Sequence, residues 1–76
     1  MPPIPLTSME SGTKGKVIEI QGGRGLCARF NAMGIRPGVK ITKISGQIMR
    51  GPVIITVGAT QVAIGFGMAS RIFVEV

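Results

Sequence analysis

A chain of 76 residues makes one small domain whose core is barely large enough to offset the entropy of ordering it. The lone Cys27 permits no intrachain disulfide, and a sequence with no His, no Asp and only Glu10, Glu19 and Glu75 as carboxylates offers no evident structural metal site. With 45% hydrophobic and only 4% aromatic residues, the core must be fitted from Ile, Val, Met and Ala, which suits a compact β fold.

In chain order, residues 1–5 ("MPPIP") are expected to be flexible. Thr7-Ser8-Met9-Glu10 then has the form of a capping box, predicting one helical turn stopped by Gly12. "KVIEI", Lys16 to Ile20, is β-branched and bounded by Gly15 and Gly22-Gly23, so it reads as a strand. From Arg24 the period changes. Leu26, Phe30 and Met33 fall at i, i+4 and i+7, predicting one amphipathic helix of about ten residues.

Gly34 follows the last periodic position, where a left-handed residue commonly ends a helix, and Ile35 should fold back on Phe30. Arg36-Pro37-Gly38-Val39 has Pro where φ is preset and Gly where φ must be positive, the pattern of a type II turn. Strands are expected at Val39 to Ser45 and at Pro52 to Val57, joined by a loop around Gln47 to Gly51 with Ile48-Met49 on display. Gly58-Ala59 suits a two-residue type II′ hairpin into "TQVAIG". A single turn at Met68 to Arg71 precedes a closing strand in which Ile72, Val74 and Val76 alternate with Phe73 and Glu75. About five short strands with one inserted helix cannot build a two-sheet sandwich in so short a chain; a small SH3-like barrel, mainly β, is the economical solution.

Several chemistries can be weighed from residue types. Gly23-x-Gly25-x-x-Ala28 matches the letters of a dinucleotide fingerprint, yet no acid lies between Glu19 and Glu75 to hold a ribose, so it reads as a tight strand-to-helix turn. There is no His for general base work and nothing to activate Cys27 or a serine, so no catalytic residue is assigned and an enzyme is not expected. Cys27 reads as a small core residue, and Met9, Met33, Met49 and Met68 as core or partner surface rather than metal ligands. No cofactor is evident. The net charge of +6 invites acidic proteins, nucleic acid or anionic surfaces. The nine bases nevertheless run from Lys14 to Arg71 without a dense block, as solvated strand faces and turns would, Lys43 among them. Nothing marks the chain for export and its longest apolar stretch, Val62 to Ala69, is too short to span a bilayer, which points to the cytoplasm.

Taken together, "FNAMGIRPGVKI", Gly51-Pro52, "VGATQVAIG" and the closing "MASRIFVEV" resemble the ferrous iron transport protein A (FeoA) family over almost the whole of residues 1–76. The chain departs from many members in having no acidic residue at Gly51-Pro52, and Ile64-Gly65 where Leu-Arg is frequent. The resemblance implies an SH3-like barrel. It also implies a cytosolic, non-catalytic accessory to the bacterial membrane GTPase that imports ferrous iron, with iron as the transported ion and any direct metal binding weak. The positive mean hydropathy of a chain without a membrane segment fits a surface awaiting a partner. Two alternatives stand beside it: a small basic barrel binding nucleic acid, and a free-standing metal-responsive regulatory domain like that of iron-dependent repressors. The residue types assign no partner-contact residue; Gly34, Pro37, Gly38, Gly51, Pro52 and Gly58 are assigned as structural turns.

Overall fold

The computed structural model describes residues 2–45 and 51–76. Six strands form one antiparallel sheet in the order β1-β6-β2-β3-β4-β5. They are β1 (Ile4–Pro5), β2 (Lys14–Ile20), β3 (Lys40–Ser45), β4 (Val53–Val57), β5 (Thr60–Ile64) and β6 (Ile72–Glu75). A 3-10 turn, Leu6–Ser8, follows β1; helix α1, Arg24–Ala32, links β2 to β3; and a single helical turn, α2, Phe66–Ala69, precedes β6. A flat six-stranded sheet would be about 24 Å wide and about 10 Å thick. This molecule measures 28 × 26 × 25 Å, so the sheet curls on itself. The result is the SH3-like barrel expected from the sequence, mainly β, with one inserted helix.

Two register shifts help to make the curl, one between Val17 and Glu19 where β2 meets β6, the other between Lys43 and Ser45 where β3 meets β4. Each bends its strand and raises the local twist. The first also resets the phase of β2: Ile18, 36% exposed, follows Lys14 and Lys16 outward, and the extra residue leaves Glu19 exposed, where plain alternation after Gly15 and Val17 would turn it inward, and Ile20 half-buried. Inward positions of the strands, among them Val17, Ile41, Ile55, Ile72 and Val74, meet Phe30 of α1, Leu6 and Ala69 in one core. Complete burial of an aliphatic side chain contributes about 1.5–3 kcal/mol, so a dozen such residues can support a domain without disulfide or metal.

Several elements differ from the sequence expectations. The chain joins the sheet early, because Ile4 and Pro5 pair with Val74 and Phe73, making a sixth strand; proline is tolerated there since an edge strand needs no inward amide at that position. The first turn is entered from Pro5 and has no side-chain cap, so the capping box of Thr7 and Glu10 does not form. Strand β2 begins at Lys14 rather than Lys16. Gly15 does not break it but lets it approach its neighbours: a Cβ there would lie 3.1 Å from Met9 Cε and 3.3 Å from the Glu75 carbonyl oxygen. The late turn starts at Phe66, two residues before the expected Met68. The loop expected around Gln47 to Gly51, with Ile48 and Met49, lies largely outside the described residues.

Candidate functional site

The corner after α1 is built as its sequence demands. Gly34 has φ +84°, the Ile35 amide donates to the Phe30 carbonyl at 2.8 Å and the Gly34 amide to the Asn31 carbonyl at 3.0 Å, which is a complete Schellman cap. Ile35 and Phe30 are both buried, so the hydrophobic part of the motif is present too. Met33 is the helix C-cap and stands 37% exposed, because the reversal hands its expected core place to Ile35. Next, the Val39 amide donates to the Arg36 carbonyl at 3.1 Å across Pro37 and Gly38, with Gly38 at φ +95°, as a type II turn requires. This turn is tied to β2, since the Gly38 amide donates to Val17 and the Val17 amide to Val39. Gly58 sits at φ +61° between β4 and β5. Gly51 and Pro52 lead into β4 at Val53.

On its outer side the corner borders an open pocket of about 320 Å³ lined by Ile20, Cys27, Asn31, Ile35, Arg36 and Pro37. Cys27 is therefore half-buried at a pocket wall rather than in the core; its thiol donates weakly to the Ile20 carbonyl at 3.9 Å. Arg36 Nη1 donates to Asn31 Oδ1 at 3.4 Å on the exposed rim. Met9 is buried and Met68 packs against the core, as expected; Met49 lies outside the described residues.

Lys43 overturns the picture of uniformly solvated bases. It is only 2% exposed, and its ammonium donates to the carbonyl oxygens of Leu6 at 3.2 Å, Thr7 at 3.4 Å and Met9. The Leu6 carbonyl also accepts the Met9 amide that closes the 3-10 turn, and the ammonium is a further donor at the end of the turn. The backbone adds to the clasp, with the Lys43 amide donating to Thr13 and the Gly12 amide to the Lys43 carbonyl. Burial pushes the Lys43 ammonium below the ordinary lysine pKa. The missed signal was the alternation itself: Val39 and Ile41 point inward, so residue 43 must follow and Ile44, 44% exposed, must point out.

Three other bases, two from β2 and one from β3, are brought together. Lys16 of β2 stands opposite Lys40 of β3 on one side and Glu75 of β6 on the other, and Lys14 stands opposite Thr42 in the next row. Gly15 and Ile41, which alternate with them, are buried, so the Lys, Thr and Glu side chains share the outer face of the sheet. They border a groove of about 490 Å³. Among the described residues no three His, Cys, Asp or Glu side chains gather into a metal-binding group.

The comparisons with known proteins fit this architecture. The FeoA domain model matches residues 4–76. The chain belongs to the FeoA family. It is 39% identical over 71 residues to a protein of Methanocaldococcus jannaschii named as a candidate Fe(2+) transport protein A, covering 93% of this chain and 84% of that one. The crystal structure of an iron uptake regulatory protein, FeoA, superposes with a TM-score of 0.89 at 38% identity over 96% of both chains. A manganese-dependent transcriptional repressor shares the fold, with a TM-score of 0.87 at 20% identity, over 97% of this chain and 42% of its own. The FeoA family is linked to Fe(2+) transport, and the barrel it shares with metal-dependent repressors is a common scaffold.

Proposed function

We propose that this FeoA-family chain is a cytoplasmic, non-catalytic accessory of ferrous iron uptake that docks on the cytoplasmic part of a membrane GTPase iron permease and tunes its assembly or nucleotide cycle. The family match over residues 4–76, joined to a relative named for Fe(2+) transport, carries this reading. Ferrous iron is the cargo of the system. No helix among the described residues is long and apolar enough to cross a membrane, so in this reading the membrane is reached through the partner.

The barrel supports a docking role because its interior is filled by its own side chains, which leaves outer strand faces and turns for contact. Nucleic acid is the weaker partner. Phe30 is buried and Phe66 and Phe73 are half-buried, so no ring stands free for bases to stack on. The test pairs two measurements: co-purification of the tagged chain with the permease's cytoplasmic domain, and radiolabelled ferrous iron uptake in a strain lacking the chain. Association together with reduced uptake is expected. Normal uptake in the deletion strain with no association overturns the reading.

A further inference from the structure

We infer that the groove between β3, β2 and β6 is a docking site for an extended acidic segment of a partner protein, with Lys14, Lys16 and Lys40 receiving its carboxylates. This rests on the reading of the chain as an accessory that docks on another protein. Lys16 and Lys40 face each other directly across the β2–β3 pairing, an arrangement in which like charges oppose sheet formation. Among the described residues none of the three ammonium groups has an ion-pair partner, even though Glu75 stands beside Lys16 in the same row. An unrelieved cluster of this kind, on a chain that carries three carboxylates in all, is relieved by an anion from outside.

The shape of the cluster selects the class of anion. Lys14 and Lys16 are alternate residues of one strand, so they repeat at about 6.6–6.8 Å, the spacing of alternate side chains on an extended peptide. Lys40 lies one strand over, roughly 5 Å away, and widens the basic strip. A peptide with Asp or Glu at alternate positions can place successive carboxylates over Lys14 and Lys16, with Thr42 offering a hydroxyl in the row of Lys14. A nucleic-acid strand fits less well. Among the described residues the groove has no aromatic side chain to stack a base and no Arg to grip a phosphate with two hydrogen bonds, and Glu75 closes one side with negative charge.

The probe is a ten-residue peptide alternating Glu and Ser, titrated into the isotope-labelled full chain and followed by amide chemical shifts. Controls are the same peptide with Gln for Glu, a thymidine 20-mer and inorganic phosphate. Shifts centred on Lys14, Lys16, Lys40 and Thr42, an affinity that falls with salt, and roughly tenfold weaker binding by the K16E/K40E double variant are expected. Both substituted side chains are exposed, and K14Q serves as a milder second variant if the double one melts early. Equal binding of the Gln peptide, shifts elsewhere on the barrel, or tighter binding of the oligonucleotide overturns the inference. Uptake separates the two levels. If deleting the chain lowers iron uptake but K16E/K40E restores it fully, the groove assignment fails and the accessory role stands; if deletion changes nothing, the accessory role fails while the titration still judges the groove.

Discussion

Replacing Lys43 by Met keeps the length of the side chain and removes the ammonium from its carbonyl cradle. Hydrogen bonds to a charged group contribute about 1.5–3 kcal/mol each, and a buried acceptor left unpaired costs about 1–3 kcal/mol. Of the three contacts those to Leu6 and Met9 are buried and that to Thr7 is partly covered; the Leu6 carbonyl keeps the Met9 amide as a donor, so the unpaired-acceptor cost falls mainly on Met9. Against this, the variant no longer desolvates a charge, which returns part of the loss. A net destabilisation of about 2–4 kcal/mol is expected, out of a total of roughly 4–11 kcal/mol for a domain of this size. At about 4–8 °C per kcal/mol, the midpoint of thermal unfolding by circular dichroism should fall by about 8 °C or more. The pH dependence gives a second reading. Because burial lowers the folded pKa of Lys43, the unfolded chain holds the extra proton in the interval between that value and the ordinary lysine pKa, so this group makes stability rise with pH there. The variant lacks the effect, and the gap between the two proteins should widen across that interval. A melt within 3 °C of wild type at neutral pH would refute the cradle as a stabilising contact.

Other substitutions probe the backbone. Gly34→Val forces a β-branched residue to φ +84° and should cost about 1–3 kcal/mol by urea unfolding, whereas Arg36→Ala, which loses one exposed hydrogen bond, should stay within about 0.5 kcal/mol of wild type. Equal stability of Gly34→Val and wild type would remove the helix cap from the account. Gly15→Ala should destabilise by about 1–3 kcal/mol, since the new methyl meets both Met9 and the backbone of β6; a neutral outcome would mean that the strands are less closely apposed. Native-state alkylation of Cys27 by iodoacetamide should be slow but measurable and should become rapid in urea, as befits a half-buried thiol at a pocket wall.

The corner from Phe30 to Gly38 was fully legible in the sequence because its causes are local: glycine at two positive φ angles, proline at a preset one, and Ile35 returning to a residue five positions earlier. The barrel was legible as a class for a related reason, since short β-branched runs in so short a chain have few ways to bury one face. What escaped were features set between distant segments. Lys43 is inward because β3 is registered by Ile41 and because the first turn, 37 positions away from it at Leu6, presents carbonyls there. The bulge that keeps Glu19 out of the core exists only in the pairing of β2 with β6. The basic groove likewise joins residues that look scattered along the chain, so a search for a run of lysines passes over it; the outward phase of β2 and β3, read together, would have brought it out.

The pairing of β1 with β6 has a consequence for how the chain comes to be folded. Ile4 meets Val74, so nearly the whole sequence must be looped to make one of its smallest contacts. Such long-range pairings are formed late, because the chain gives up its freedom before the contact compensates. On the ribosome, the hairpins of β3, β4 and β5 can assemble while the rest is still being made, but the barrel cannot be sealed until the residues around Val74 have emerged. Until that moment β2 lacks its neighbour on one side, and the newborn protein presents an unfinished sheet edge.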